Sequence, residues 1–150
     1  MTIKCAIIDD EPLALGLLES YVKKTHSLEL CGAYSSAIQA MELLTEHPVD
    51  LIFLDIQMPE LNGLEFSKII PNTTRIIFTT AFGQYALDGY KVNALDYLLK
   101  PISYTDFMTA VNKAVQWFEL CQKAENASNE VQSSDDQKYI YVKSDYKLIQ

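Results

Sequence analysis

Five short runs of strand-forming residues recur along the chain: IKCAII (3–8), LELCGAY (28–34), DLIFL (50–54), RIIFT (75–79) and ALDYLL (94–99). Segments of helical periodicity separate them, and that alternation is the mark of repeated strand–helix units around a parallel sheet. Leu13, Leu17, Leu18, Tyr21 and Val22 share one helical face, as do Ala37, Ala40, Met41, Leu43 and Leu44. Pro12 suits a first helical turn, where its missing N–H does no harm. The third connection, around LEFSKII, is short; the fourth, GQYALDGYKVN (83–93), carries Gly83 and Gly89 and reads as the least stable helix. Ser103 with Asp106 three residues on opens the last helix, which continues through Phe107, Ala110, Val111, Ala114, Val115 and Phe118.

The 150 residues are about one domain's worth, and we place that domain at residues 1–123. Residues 124–137, AENASNEVQSSDDQ, hold no basic side chain and read as an acidic flexible linker. Residues 138–150, KYIYVKSDYKLIQ, read as one strand, a turn and the start of another, the truncated beginning of a further domain. The net charge of -8 lacks the basic patch of a nucleic-acid binder. No apolar stretch is long enough to cross a bilayer, and MTIKCAIIDD reaches two aspartates too early for a signal peptide, so a cytoplasmic location and no membrane contact are expected. Cys5, Cys31 and Cys121 are odd in number, lack CxxC spacing and are expected to be buried thiols.

The strand ends carry the chemistry. The first finishes in Asp9, Asp10 and Glu11, the third in Asp55, the fourth in Thr79 and Thr80, the fifth in Lys100 before Pro101. In an open parallel sheet all these ends lie along one edge, and ligands bind where the strand order reverses. With the order 2-1-3-4-5 of a doubly wound five-stranded sheet, strands 1 and 3 are neighbours and Asp9, Asp10 and Asp55 share a pocket. Carboxylates that close raise one another's pKa unless a cation sits among them. An all-oxygen site suits Mg²⁺ better than zinc, and the only histidines, His26 and His47, lie elsewhere. An aspartate beside Mg²⁺, with a lysine opposite and threonine hydroxyls nearby, suits phosphoryl uptake on a carboxylate.

Asp9-Asp10-Glu11, FLDIQMPELNG (53–63), Thr80-Ala81 and Lys100-Pro101 resemble the motifs of response-regulator receiver domains of two-component signalling, which have a flavodoxin-like fold. FTTAFGQYAL and NALDYLLKPI resemble in particular the receivers joined to LytTR-type DNA-binding domains, and the segment from residue 138 resembles the opening strands of such an output domain. The resemblance implies a signalling phosphoacceptor rather than an enzyme acting on other molecules. By it, Asp55 is the phosphoacceptor, and Asp10, Asp55 and the backbone carbonyl of Gln57 hold Mg²⁺, with Asp9 acting through a bound water. Thr80 is the switch hydroxyl, Tyr97 the aromatic that follows it, and Lys100 the partner of acceptor and phosphoryl group, with Lys100–Pro101 a candidate for a cis bond. It also implies a sensor histidine kinase as donor, a homodimer formed through the fourth helix, fifth strand and last helix, and DNA contact only through the missing output domain.

Each residue also has a plainer role. Asp9 and Asp10 suit a strand-end turn or helix cap, Asp55 a turn, Thr79 and Thr80 a strand, Tyr97 a core and Lys100 a solvated surface. A Mg²⁺-dependent phosphatase passing through an aspartyl phosphate is a rival reading, although such enzymes commonly want a second carboxylate where Gln57 stands. A degenerate receiver acting only as an interaction module is another.

Overall fold

The computed structural model describes residues 2–58, 63–82 and 94–130. The expected fourth helix at 83–93 and the further domain from 138 lie outside them. The elements run β1 (Ile3–Ile8), α1 (Pro12–Lys23), β2 (Leu28–Tyr34), α2 (Ala37–Glu46), β3 (Leu51–Asp55), α3 (Gly63–Ser67), β4 (Arg75–Thr80), β5 (Asp96–Leu99) and α4 (Tyr104–Glu130). The five strands form one parallel sheet in the order β2-β1-β3-β4-β5. The expected doubly wound α/β fold is therefore the one observed.

Alternate strand residues point to opposite faces. On one face Ala6, Ile8, Ile52, Leu54, Ile76 and Phe78 pack with Ala37 and Ala40 of α2 and with Phe66 of α3. On the other, Phe53 stacks on Phe107 of α4 with ring centroids 5.3 Å apart, and Tyr21 of α1 meets Phe107 at 5.2 Å. Every side chain of β3 and β4 is buried, and a one-residue slip of either strand would exchange the residues on its two packed faces.

Helix starts follow the sequence. Pro12 opens α1 at its first positions, and Ser103 Oγ accepts the Asp106 N–H at 3.1 Å. The Lys100–Pro101 peptide, a candidate for a cis bond, is cis.

Three expectations need correction. In α1 only Leu18 and Val22 are buried; Leu13 is 90% and Leu17 37% exposed. The apolar arc of this helix is wider than the stripe its sheet contact covers, and Leu43 stands out of α2 for the same reason. Of the cysteines, Cys5 is buried, Cys121 partly so and Cys31 exposed. Cys5 pairs with Leu30 and Ala6 with Gly32, leaving Cys31 as the extra residue of a bulge on the edge strand β2. Finally, α4 runs on through Glu130, so residues 124–130 are helical where composition suggests a flexible linker. Ala124, Glu125, Ala127 and Glu130 favour a helix, and no Gly or Pro interrupts them. The chain divides into two compact units, 1–113 and 114–150, and the site lies wholly in the first. No described helix is long and apolar enough to cross a membrane.

Candidate functional site

Register brings the acidic residues together. Ile8 lies opposite Leu54 across β1 and β3, so the next residues, Asp9 and Asp55, leave the sheet side by side. Asp9, Asp10 and Asp55 offer carboxylate oxygens within 4.8 Å of one another. Asp9 is fully buried and Asp55 is 2% exposed. Each aspartate is steered by a backbone N–H two residues on: Glu11 N donates to Asp9 Oδ1 at 2.9 Å and Gln57 N to Asp55 Oδ1 at 3.0 Å. The other oxygens thus face the pocket, where Lys100 Nζ comes within 3.0 Å of Asp9 Oδ2. Three clustered carboxylates, two of them buried, make an all-oxygen donor set that fits a hard divalent cation such as Mg²⁺.

Lys100 reaches across from β5, where its backbone N–H donates to Thr80 O at 2.8 Å. Its Nζ hydrogen-bonds Glu11 Oε1 at 2.7 Å and lies 3.0 Å from Asp9 Oδ2 and 3.4 Å from Asp55 Oδ2. Burial alone would pull this ammonium's pKa down; the hydrogen bonds to Glu11 and Asp9, with the charges of Asp9 and Asp55, outweigh it and raise the pKa above the ordinary lysine value. Asp55 is pushed up to about 7, first by burial and then by the charge of Asp9, against the Gln57 N–H and Lys100, which favour the ionised form.

The other expected residues are placed differently. Gln57 is exposed at its side chain and meets Asp55 through its backbone. The Thr80 hydroxyl closes a small turn, accepting the Phe82 N–H at 3.0 Å and donating to Phe82 O at 3.4 Å. Thr79, in register with Asp55, is fully buried. Tyr97 stacks on Phe78 at 5.3 Å within the apolar cluster on the α2 and α3 face.

Two residues gain a role that the sequence did not suggest. Glu11 was visible only as the third acid of a run. Gly63 read as half of an Asn-Gly turn signal, yet its N–H donates to Ile56 O at 2.8 Å. A Cβ there would collide with the carbonyl oxygen of Asp55 and lie 2.8 Å from Ile56 Cα. Gly63→Ala must push residue 63 and the Asp55–Ile56 backbone apart, and a loss of about 1–3 kcal/mol is expected in urea denaturation. An unchanged midpoint would mean that this backbone yields freely.

Fold and pocket together define a doubly wound α/β domain with an acidic, cation-receptive site at its topological switch point. The chain belongs to the response regulator receiver domain family, which its residues 5–112 match. Over 102 residues it is 40% identical to the transcriptional regulatory protein BtsR of Escherichia coli (strain K12), covering 67% of this chain and 43% of that protein. Over 114 residues it is 36% identical to the sensory transduction protein LytT of Bacillus anthracis, covering 74% and 46%. The chain thus spans less than half the length of these curated relatives. Similar solved structures include the response regulatory domain of mrkE from Klebsiella pneumoniae, with TM-score 0.72 and 27% identity over 79% of this chain and 99% of that one. The REC domain of AraT from Geobacillus stearothermophilus gives a TM-score of 0.70 and 28% identity over 81% and 99%. Receiver domains bind Mg²⁺ at an acidic pocket, work with histidine kinases and act in signalling rather than metabolism.

Proposed function

We propose that Asp55 accepts a phosphoryl group from a phosphohistidine of a sensor histidine kinase and that this uptake switches a C-terminal DNA-binding output domain of the LytTR type. The observation that carries the reading is one buried carboxylate, Asp55, grouped with two further aspartates and with the Lys100 ammonium 3.4 Å away. In the transfer, an Asp55 carboxylate oxygen forms the new P–O bond, the P–N bond breaks, and the imidazole leaves with a proton from solvent. The Gln57 N–H orients Asp55 through its Oδ1, and Lys100 neutralises charge on the transferring oxygens. Asp9, Asp10 and Asp55, with the Gln57 carbonyl, would hold Mg²⁺, which when bound supplies further neutralisation of the same oxygens.

A groove of about 320 Å³ adjoins Lys100, lined by Glu11, Leu13, Ala14, Leu17, Ala81, Lys100, Pro101 and Ile102. Its apolar wall of Leu13, Leu17 and Ile102 suits a helix of the donor kinase, seated so that the phosphohistidine reaches Asp55. A phosphoryl group on Asp55 then favours an arrangement in which the Thr80 hydroxyl leaves Phe82 for the new oxygens and Tyr97 follows. The consequence is a homodimer formed through residues 83–93, β5 and α4, which presents the output domains to DNA.

Intact-mass spectrometry after incubation with a small phosphodonor tests this. The expected result is a Mg²⁺-dependent gain of one phosphoryl group, absent in Asp55→Asn. No gain would favour the interaction module, and sustained release of phosphate over many turnovers the phosphatase.

A further inference from the structure

The segment that joins Lys100 to α4 is tied to a helix far away in the chain. Pro101 has no N–H to donate. Ser103 turns toward its own helix, its hydroxyl and carbonyl accepting the N–H groups of Asp106 and Phe107. Ile102 lies between them, only 4% exposed, and a buried carbonyl needs a partner. The Tyr21 hydroxyl of α1 supplies it, donating to Ile102 O at 3.0 Å across 81 residues of sequence. The tyrosine is itself seated for that bond, since its ring meets Tyr104 edge-on and Phe107 at a tilt, both with centroids 5.2 Å away.

Lys100 stands two residues before Ile102 and is held from the other side as well, its N–H donating to Thr80 O at 2.8 Å. Its backbone is therefore fixed by β4 on one side and, through Ile102, by α1 on the other. From that base a largely buried side chain, 12% exposed, brings one ammonium to 2.7 Å from Glu11, 3.0 Å from Asp9 and 3.4 Å from Asp55. The lysine stem is flexible, so this meeting depends on where the backbone starts, and a small misplacement of a charge that acts on a transferring group costs rate. Helix α1 thus grips the segment at two points, through Glu11 on the ammonium and through Tyr21 on the backbone, with the groove residues Leu13, Ala14 and Leu17 between them.

We propose that Tyr21 is a positioning residue: through the Ile102 carbonyl it fixes the backbone from which Lys100 reaches the acceptor carboxylate. This deepens the phosphoacceptor reading and rests on it for its purpose, while the placement of Lys100 is measurable without any phosphoryl transfer.

Tyr21→Phe keeps the ring and removes the hydroxyl, and NMR of the lysine side chains in isotope-labelled, unphosphorylated protein reads the consequence. The Lys100 signal, assigned by its loss in Lys100→Met, is expected to shift in Tyr21→Phe while those of Lys4 and Lys68 stay in place. An unmoved Lys100 signal would overturn the proposal, and so would shifts in all three, which would mean general damage to the fold. Initial phosphoryl uptake from phosphoramidate at saturating Mg²⁺, followed by intact mass, should slow on the order of fivefold, as for residues coupled within one contact network. The same substitution made on Lys100→Met should change the rate less than about twofold. No slowing in the first background, or equal slowing in both, would overturn the proposal, since Tyr21 would then act without the lysine. If the wild type takes no phosphoryl group, the phosphoacceptor reading fails while the lysine signals still decide the role of Tyr21.

Discussion

With metal removed by a chelator, Asp55→Asn is expected to melt above the wild type at pH 8, with the difference shrinking as the pH falls and vanishing below about 4. Burial and the Asp9 charge push the Asp55 carboxyl from 3.8 up to about 7. Between those values the folded protein holds a proton that the unfolded chain has released. The folded state binds more protons there, so stability falls as pH rises through this window and stays low above the folded value. Below the unfolded value both states are protonated and the penalty is absent. An asparagine side chain never carries the charge. The full shift corresponds to at most a few kcal/mol, or roughly 5–10 °C in the melting midpoint. Calorimetry from pH 5 to 8.5 in chelator checks it, and parallel curves for the two proteins would show that Asp55 ionises without penalty. Mg²⁺ should reverse the order by stabilising the wild type through mass action, an effect the variant largely loses.

The second large effect is expected at the apolar wall of the groove. Leu13→Ala combined with Leu17→Ala should slow phosphoryl transfer from the kinase about 10–100-fold while leaving uptake from a small phosphodonor within about twofold. Leu13 is almost fully solvated, and fully burying an exposed leucine against a partner is worth about 1.5–3 kcal/mol. Alanine keeps the helix, so α1 and the acidic pocket should survive the change. Time courses with phosphorylated kinase and with the small donor separate the two. Equal slowing of both would place the damage in the pocket, and no slowing of either would remove the groove from the donor's path.

The strands were legible because their signal is local. Near-continuous apolar runs such as DLIFL mark themselves, and the observed β3 differs from that run by one residue at each end. The acidic pocket was legible for a related reason, since the strand order and the place of each aspartate at a strand end leave Asp9 and Asp55 little choice but to meet. The faces of α1 and α2 were less so. A helical face predicts which leucines align, but which of them reach the sheet depends on how far its surface extends beneath the helix. Leu18 and Val22 fall within it, and Leu13 and Leu17 do not.

By itself, then, the sequence determined the succession of elements, the parallel sheet and the set of polar groups delivered to one edge, because periodicity and strand-end position are properties of neighbouring residues. Only the tertiary structure decided that Lys100 would hydrogen-bond Glu11 rather than Asp55, that Gly63 would press against the backbone at the end of β3, and that Leu13 and Leu17 would stay in solvent. Those outcomes turn on differences of less than an ångström, or on the extent of a surface, between residues that are far apart in sequence or meet only through the fold.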